Sequence, residues 1–220
     1  MKRLVATVLC LTSLVAFAEE DGKKPAQFEE SGQSWSVIGA RTVAPGANLF
    51  TAEAGYPGIS VAYQRGIISG LNLGGRVGFM YGLDGLVREV VPGLKVQALL
   101  KFRFYDAGRI SLGVTFEPGF FIGDSYLQGT RGGLSLPIGF RLGIAASSAL
   151  AIGIQIEVPM WVEFGRFGGF NAPILSGGGA EYFLTSNLTL FAKVRVGPII
   201  RTGRATEAGF DASVGVGYRF

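Results

Sequence analysis

The chain has 220 residues, of which 48% are hydrophobic and only 16% charged, and its length fits a single domain. A typical globular domain carries about 25% charged residues, so this composition argues against an ordinary soluble protein. The 18 basic and 16 acidic residues that follow residue 18 leave a net charge of only +2, which gives no electrostatic basis for binding nucleic acid.

The N-terminus has the three parts of a secretory signal peptide. Lys2 and Arg3 are followed by an apolar stretch over 4–17 and by Ala-Phe-Ala at 16–18. About 14 apolar residues are too few for a membrane-spanning helix, which needs about 20. We therefore expect residues 1–18 to be a signal peptide that is removed on export. Cys10, the only cysteine, lies within it, so the exported part contains no disulfide.

Residues 19–34 are polar, charged and without any period, which predicts a disordered periplasmic lead-in. From residue 35 onward, apolar residues recur at every second position. The clearest case is 149–164, where Leu150 to Phe164 on one face alternate with smaller or polar residues on the other. A helix would scatter such a pattern around its axis, so it indicates strands.

Eight long strands are predicted from this alternation, at 71–82, 94–105, 110–122, 134–144, 149–164, 174–184, 188–199 and 208–220. Strands in soluble sheets usually have about five or six residues, whereas a tilted membrane strand needs about 9–11. In lipid, backbone groups must be hydrogen-bonded within the protein, so strands can cross only as a closed barrel. The predicted fold is all-β, a single antiparallel up-and-down transmembrane β-barrel over 35–220.

Residues 59–64 form a further strand, which needs a partner because single-chain bacterial barrels have even strand numbers. The partner is either 35–43 or 49–55, the second turning through Tyr56-Pro57-Gly58. The apolar parity changes across this turn, from even positions to odd ones. We predict ten strands, with eight as the alternative.

The predicted connections alternate in length. Short turns fall at 106–109, 146–148 and 185–187, and longer loops near 83–92, 123–133, 165–173 and 200–207. Outer-membrane barrels have short periplasmic turns and longer external loops. The pattern thus predicts that the last strand runs from the external side to the periplasm.

The polar face of the predicted strands consists mostly of small residues, with one or two charges per strand. Small residues suit the crowded interior of a narrow barrel, and the face of large apolar residues suits lipid. The candidate charges of the interior are Arg76, Lys95, Lys101, Arg103, Glu117, Arg141, Glu157, Glu163, Glu181, Lys193, Arg195, Asp211 and Arg219.

Two interpretations of these charges stay open. Because a barrel of about eight strands is just wide enough for side chains to fill, the mixed charges favour a plugged interior of paired groups. The alternative is a narrow channel for small solutes, with the charges as a constriction. An apolar route is also open, because several large apolar residues share the inner parity: Leu99, Phe121, Trp161, Phe183 and Phe191.

An enzyme is not expected. The chain has no histidine, so histidine-based acid–base catalysis is unavailable. The sequence shows no cluster of metal ligands and no phosphate-binding loop, and we expect no cofactor. The expected role is structural or one of surface interaction.

The last strand carries the most specific motif, formed by Ser213, Gly215, Tyr218 and Phe220. It resembles the terminal strand of bacterial outer-membrane β-barrel proteins, and the chain is similar in size to OmpA, OmpX and OmpW. The resemblance implies that the barrel-assembly machinery reads this strand during biogenesis and that the mature protein sits in outer-membrane lipid of a Gram-negative cell. It implies no activity, and no feature indicates an oligomeric state.

Overall fold

The computed structural model describes residues 33–83, 86–125, 129–164, 169–201 and 206–220. Among these residues no helix is long and apolar enough to cross a membrane. Twelve strands are present: β1 (Asn48–Tyr56), β2 (Gly58–Ile68), β3 (Leu71–Leu83), β4 (Leu86–Ala107), β5 (Ile110–Phe116), β6 (Gly119–Ser125), β7 (Gly129–Ala145), β8 (Leu150–Glu163), β9 (Gly169–Pro173), β10 (Leu175–Phe183), β11 (Leu188–Arg201) and β12 (Glu207–Arg219).

The strands form one antiparallel sheet that closes into a ring. β1 pairs with β2 on one side and with β12 on the other, with Leu49 opposite Arg219 and Tyr56 opposite Ala212. Closure removes the open edges that a sheet would otherwise expose. The prediction of an all-β antiparallel barrel is confirmed.

The strand count differs from the expected ten. β5 and β6 lie end to end between β4 and β7, and β9 and β10 lie end to end between β8 and β11. Each end-to-end pair occupies one position in the ring, so the ring has about ten strand positions although the described residues form twelve strands. Pro118 lies at the first break and Pro173 at the second. Since proline has no N–H for the ladder, it interrupts strands at such positions.

The partner of β2 is β1, the second of the two candidates. The chain turns at Pro57, and Ala54 lies opposite Ile59. The turn accounts for the change in apolar parity between 54 and 59. Residues 35–43, the first candidate, form no strand.

The two faces of the ring differ as the alternation predicts. Along β8, Ile152, Ile154 and Ile156 are exposed on the outer face, whereas Gln155 and Glu157 are buried inside. The same division runs through the other strands. Large apolar side chains thus cover the outside, and polar side chains line the interior.

A stretch before β1, residues 33–47, occupies one end of the interior, and we call it the N-terminal segment. Trp35, Ile38 and Val43 are at most 1% exposed. Inward-facing glycines make room for it, because a Cβ at Gly153 would lie 3.0 Å from Cγ1 of Ile38 and one at Gly217 would lie 2.7 Å from Cγ2 of Val37. A side chain at either position would require Ile38 or Val37 to move.

Residues 33 and 34, expected at the end of the lead-in, belong to this segment. The signal peptide at 1–18 and the lead-in over 19–32 lie outside the described residues.

The segment lies at the end of the barrel that carries the connections at 69–70, 108–109, 146–149 and 184–187, which we call the turn end. The opposite end, with the connections after β3, β6, β8 and β11, is the loop end. The predicted loops at 83–92 and 123–133 are wrong for most of their length, since β4 already begins at Leu86 and β7 at Gly129. Residues 169–173 of the predicted loop 165–173 form β9, and residues 200, 201 and 207 of the predicted loop 200–207 belong to β11 and β12. The connecting residues 84–85, 126–128, 165–168 and 202–205 lie outside the described residues.

Replacing Gly153 by valine tests whether the glycines admit the N-terminal segment. The added side chain would meet Ile38, so we expect the free energy of unfolding in urea to fall by about 1–3 kcal/mol. Gly132→Val is the control, because its Cβ would meet only the backbone oxygen of Phe121 at 3.4 Å. Equal stability of the two variants would contradict this packing.

Candidate functional site

Eight charged side chains form a connected belt across the middle of the interior. Arg76 pairs with Glu117 at 2.7 Å, and Lys193 pairs with Glu53 at 2.8 Å. A longer contact of 4.0 Å between Arg76 and Glu53 joins these two pairs. Half of the belt is therefore one continuous group of four charges.

The other half is joined in the same way. Arg141 pairs with Glu157 at 3.1 Å, Glu157 also contacts Arg195, and Arg195 pairs with Asp211 at 2.8 Å. A contact of 3.9 Å between Arg141 and Glu117 connects the two halves. All eight side chains thus share one network.

The belt is electrically balanced, with four basic and four acidic side chains. Charged groups away from water are tolerated only where they are paired and hydrogen-bonded. Because the charges cancel, the belt as a whole attracts neither anions nor cations. Its first physical role is to fill the interior with satisfied polar groups.

The sequence singled out most of this belt. The structure brings together seven of the candidate charges: Arg76, Glu117, Arg141, Glu157, Lys193, Arg195 and Asp211. Glu53 was missed, because the strand that carries it was one of two alternatives. The signal was present, since Phe50, Ala52 and Ala54 face outward and their neighbour Glu53 therefore faces inward.

Glu181 and Lys101 do not join the belt and instead bind the N-terminal segment. The Glu181 carboxylate accepts hydrogen bonds from the Ser36 hydroxyl at 2.5 Å and from the Val37 N–H at 2.9 Å. Lys101 donates to the Ser36 carbonyl oxygen at 2.7 Å, and Gln155 donates to the Ile38 carbonyl oxygen at 2.8 Å. Three side chains from the wall therefore hold the main chain of residues 36–38.

The turn end of the interior is closed around Trp35. Its indole N–H donates to the Ser186 carbonyl oxygen at 3.0 Å, and its ring meets Phe183 edge to face at 5.5 Å. Trp35, Val43, Leu49, Ala151 and Phe183 form one apolar cluster. Arg219 donates to the Ser34 hydroxyl at 2.7 Å, so this candidate charge also contacts the segment.

The remaining candidate charges lie apart from the belt. Arg103 pairs with Asp106 at 2.5 Å at the turn end. Glu163 pairs with Arg131 at 2.5 Å near the loop end and accepts a hydrogen bond from the Trp161 indole at 3.0 Å. Lys95 lines a cavity beside the belt.

A second apolar cluster lies on the loop-end side of the belt. It consists of Met80, Leu83, Val91, Phe121, Trp161 and Ile199. Four members of this cluster follow a belt residue by four positions in the sequence. The pairs are Arg76 and Met80, Glu117 and Phe121, Glu157 and Trp161, and Arg195 and Ile199. The belt is thus enclosed between two apolar layers.

Beside the belt the interior holds about 660 Å³ of empty space, a figure that includes its opening toward solvent. Its lining includes Arg76, Lys95, Gln97 and Asp211. In the described part of the chain, no three histidine, cysteine or acidic residues are grouped in a way that could hold a metal ion.

The residues of the predicted assembly motif divide between the two faces of β12. Ser213 and Gly215 face inward, whereas Tyr218 and Phe220 are exposed on the outer face. The two aromatic rings stack with centroids 5.9 Å apart. Reading of this strand by the assembly machinery stays a prediction.

Comparisons with known proteins give only distant likenesses. No family model and no curated protein matches the chain. Among solved structures, the outer membrane protease OmpT from Escherichia coli is similar over 79% of this chain and 96% of its own, with 9% identity and a TM-score of 0.49. KdgM porin is similar over 79% and 99%, with 12% identity and a TM-score of 0.37, both alone and in complex with disordered oligogalacturonate. Values this low say nothing of activity, and the fold described above rests on strand pairing alone.

Glu157→Gln tests whether the belt stabilises the barrel. The substitution removes the carboxylate shared by Arg141 and Arg195 and leaves the belt with one uncompensated positive charge, and an uncompensated buried charge costs about 3–5 kcal/mol. The free energy of unfolding in urea should fall by that order. Asp106→Asn is the matched control, because it breaks a more exposed pair that contributes about 0–1 kcal/mol. Loss of no more than this from Glu157→Gln would contradict the role of the belt.

Proposed function

We propose that the chain is an integral β-barrel protein of the outer membrane, closed along its axis, with a structural or surface-interaction role. The observation that supports this best is the inverted polarity of the ring. Paired charges fill the interior, while the outside presents large apolar side chains such as Phe120, Leu94 and Val214, which are 67%, 53% and 61% exposed.

Water is a poor solvent for such a surface. Soluble monomers rarely expose continuous apolar patches of more than a few hundred square ångströms. Of the described side chains, exposed charges occur only near strand ends, at Arg65, Asp106, Arg109 and Asp124. An apolar band between polar margins is the surface that a bilayer requires of a barrel.

The route to the membrane is part of the same proposal. Residues 1–18 direct export and are removed, and the pattern from Ser213 to Phe220 on the last strand addresses the barrel to its assembly machinery. The turn end then faces the periplasm. We assign no enzymatic activity, since the chain contains no histidine to act as a general base.

Closure of the interior is supported by three layers. The N-terminal segment fills the turn end, the belt crosses the middle, and the apolar cluster around Trp161 fills the loop end. A narrow channel is the second candidate, and the cavity beside the belt favours it. The two candidates differ in conductance, which the closed barrel lacks.

The membrane assignment is tested by fractionating cells that express the full chain. We expect the protein in outer-membrane fractions and resistant to carbonate extraction, because its apolar outer face requires lipid. Unheated samples should migrate faster than boiled ones in gel electrophoresis, as a compact barrel does. Recovery of folded protein in the soluble periplasm would refute the assignment.

Glu181→Gln tests closure at the turn end. The amide would place a donor among groups that donate to the carboxylate, namely the Ser36 hydroxyl and the Val37 N–H. Hydrogen bonds to a charged group contribute about 1.5–3 kcal/mol, so trypsin should cleave after Arg41 about ten- to a hundredfold faster.

In planar bilayers, neither wild-type protein nor the variant should show steady conductance, because the belt and the apolar cluster around Trp161 still close the interior. Asp124→Asn, on the outer face near the loop end, is the control and should behave as wild type. Steady single-channel steps from the wild-type protein would instead support the narrow channel.

A further inference from the structure

A second cavity lies between the N-terminal segment and the belt, and we call it the inner chamber. Val37 and Ile38 of the segment line it on one side. The belt lines it on the other side with five charged residues: Glu53, Arg76, Glu117, Arg141 and Lys193. The chamber is therefore bounded along the barrel axis by two parts of the structure that are themselves held in place.

Lys101 brings a charge to the inner chamber that the belt does not balance. It lines the chamber and is only 5% exposed. Its ammonium group donates to the neutral carbonyl oxygen of Ser36 and forms no ion pair with the described residues. Because the belt already matches four basic with four acidic groups, it has no spare carboxylate for Lys101. A buried charge without a counter-charge is strongly unfavourable.

Glu181 does not supply this counter-charge by direct contact. Its carboxylate accepts hydrogen bonds from the Ser36 hydroxyl and the Val37 N–H, whereas Lys101 binds the carbonyl oxygen of Ser36. The two charged groups thus hold the same residue of the segment without pairing with each other. Only Lys101 lines the inner chamber.

Two further donors of the inner chamber are unused. The Nε atoms of Arg76 and Arg141 are buried and have no hydrogen-bond partner among the described residues. Both residues line the chamber, and a guanidinium group can only donate. Since buried donors in native proteins nearly always have an acceptor, the chamber requires one.

The carboxylates of the inner chamber already have partners. Glu53 accepts from Lys193, and Glu117 accepts from Arg76. Four basic side chains line the chamber, against these two acidic ones. Glu157, which lies outside the lining, neutralises Arg141. One positive charge therefore remains, and it is that of Lys101.

We infer that the inner chamber holds one small monovalent anion, such as chloride, beside Lys101. The single excess charge selects a monovalent ion, and the unused N–H groups of Arg76 and Arg141 select an acceptor. The segment and the belt enclose the chamber, which restricts the ligand to a small ion. The inference goes beyond the proposed function, because it assigns a ligand to the closed interior and does not depend on the membrane location.

Anomalous diffraction from the full chain, crystallised in detergent with sodium bromide, locates such an ion directly. We expect a bromide peak between the N-terminal segment and the belt, within hydrogen-bonding distance of the Lys101 ammonium. Density in the chamber without an anomalous signal would be water, and peaks confined to the outer surface would be adventitious ions only. Either result would overturn the inference.

Lys101→Met and Lys95→Met form a matched pair of variants. Both lysines lie on the inner face of β4, but Lys95 lines the cavity on the other side of the belt. Lys101→Met should weaken bromide binding about ten- to a hundredfold, because it removes a charge-assisted contact. Lys95→Met should bind bromide as the wild type does.

Urea unfolding of the refolded chains measures this difference in solution. The ionic strength is held constant while sodium bromide replaces sodium gluconate, whose anion is too large for the chamber. A ligand that binds only the folded state raises the free energy of unfolding. Bromide should therefore stabilise the wild type and Lys95→Met, saturably, relative to Lys101→Met, and general effects of the two salts cancel in this comparison.

Equal responses of Lys101→Met and Lys95→Met to bromide would contradict an anion at Lys101. Heat-dependent gel mobility shows whether each variant is folded, and if Lys101→Met does not fold, the anomalous peak in the wild-type chain still decides. None of these outcomes bears on the membrane location, which cell fractionation tests separately.

Discussion

The pairing of buried charges is the constraint on which the rest of this structure depends. Backbone hydrogen bonds join each strand only to its neighbours in the ring. Several ion pairs reach further: Lys193 on β11 meets Glu53 on β1 across β12, and Arg76 on β3 meets Glu117, between β5 and β6, across β4. These contacts fix the cross-section of the barrel. A ring of a different size would leave charges without partners in a medium of low dielectric constant.

The same constraint explains the layered interior. Charges can lie inside the barrel only where water and partners satisfy them, so the space toward each end is filled by apolar groups. At the loop end these groups come from the wall itself. At the turn end the wall is lined by glycines, and the N-terminal segment supplies Trp35 and Val43. The glycines of the wall therefore leave the space that the large side chains of the N-terminal segment fill.

Much of the fold could be predicted from the period of the sequence, because successive side chains on a strand point to opposite faces of the sheet. This alone placed Gln155 and Glu157 inside and Ile154 and Ile156 outside. The strand break at Pro118 was not predicted, since proline also occurs within continuous strands here, as Pro137 and Pro159 do. The short strand β9 was also missed, because residues 169–173 were assigned to a loop.

The contents of the interior were harder to predict. Parity shows that Glu181 and Lys101 face inward, but it cannot show that their partners are main-chain atoms of residues 36–38. Residues 36–38 show no alternation of apolar and polar residues. Their position depends on the space inside the closed ring, which the sequence pattern does not describe.

The position of the N-terminal segment has a consequence for the order of assembly. The segment leads directly into β1, and β1 completes the ring by pairing with β12. The strand that closes the ring is therefore covalently joined to the segment that fills the turn end. Closing the seam between β1 and β12 and filling that end of the interior are thus coupled steps.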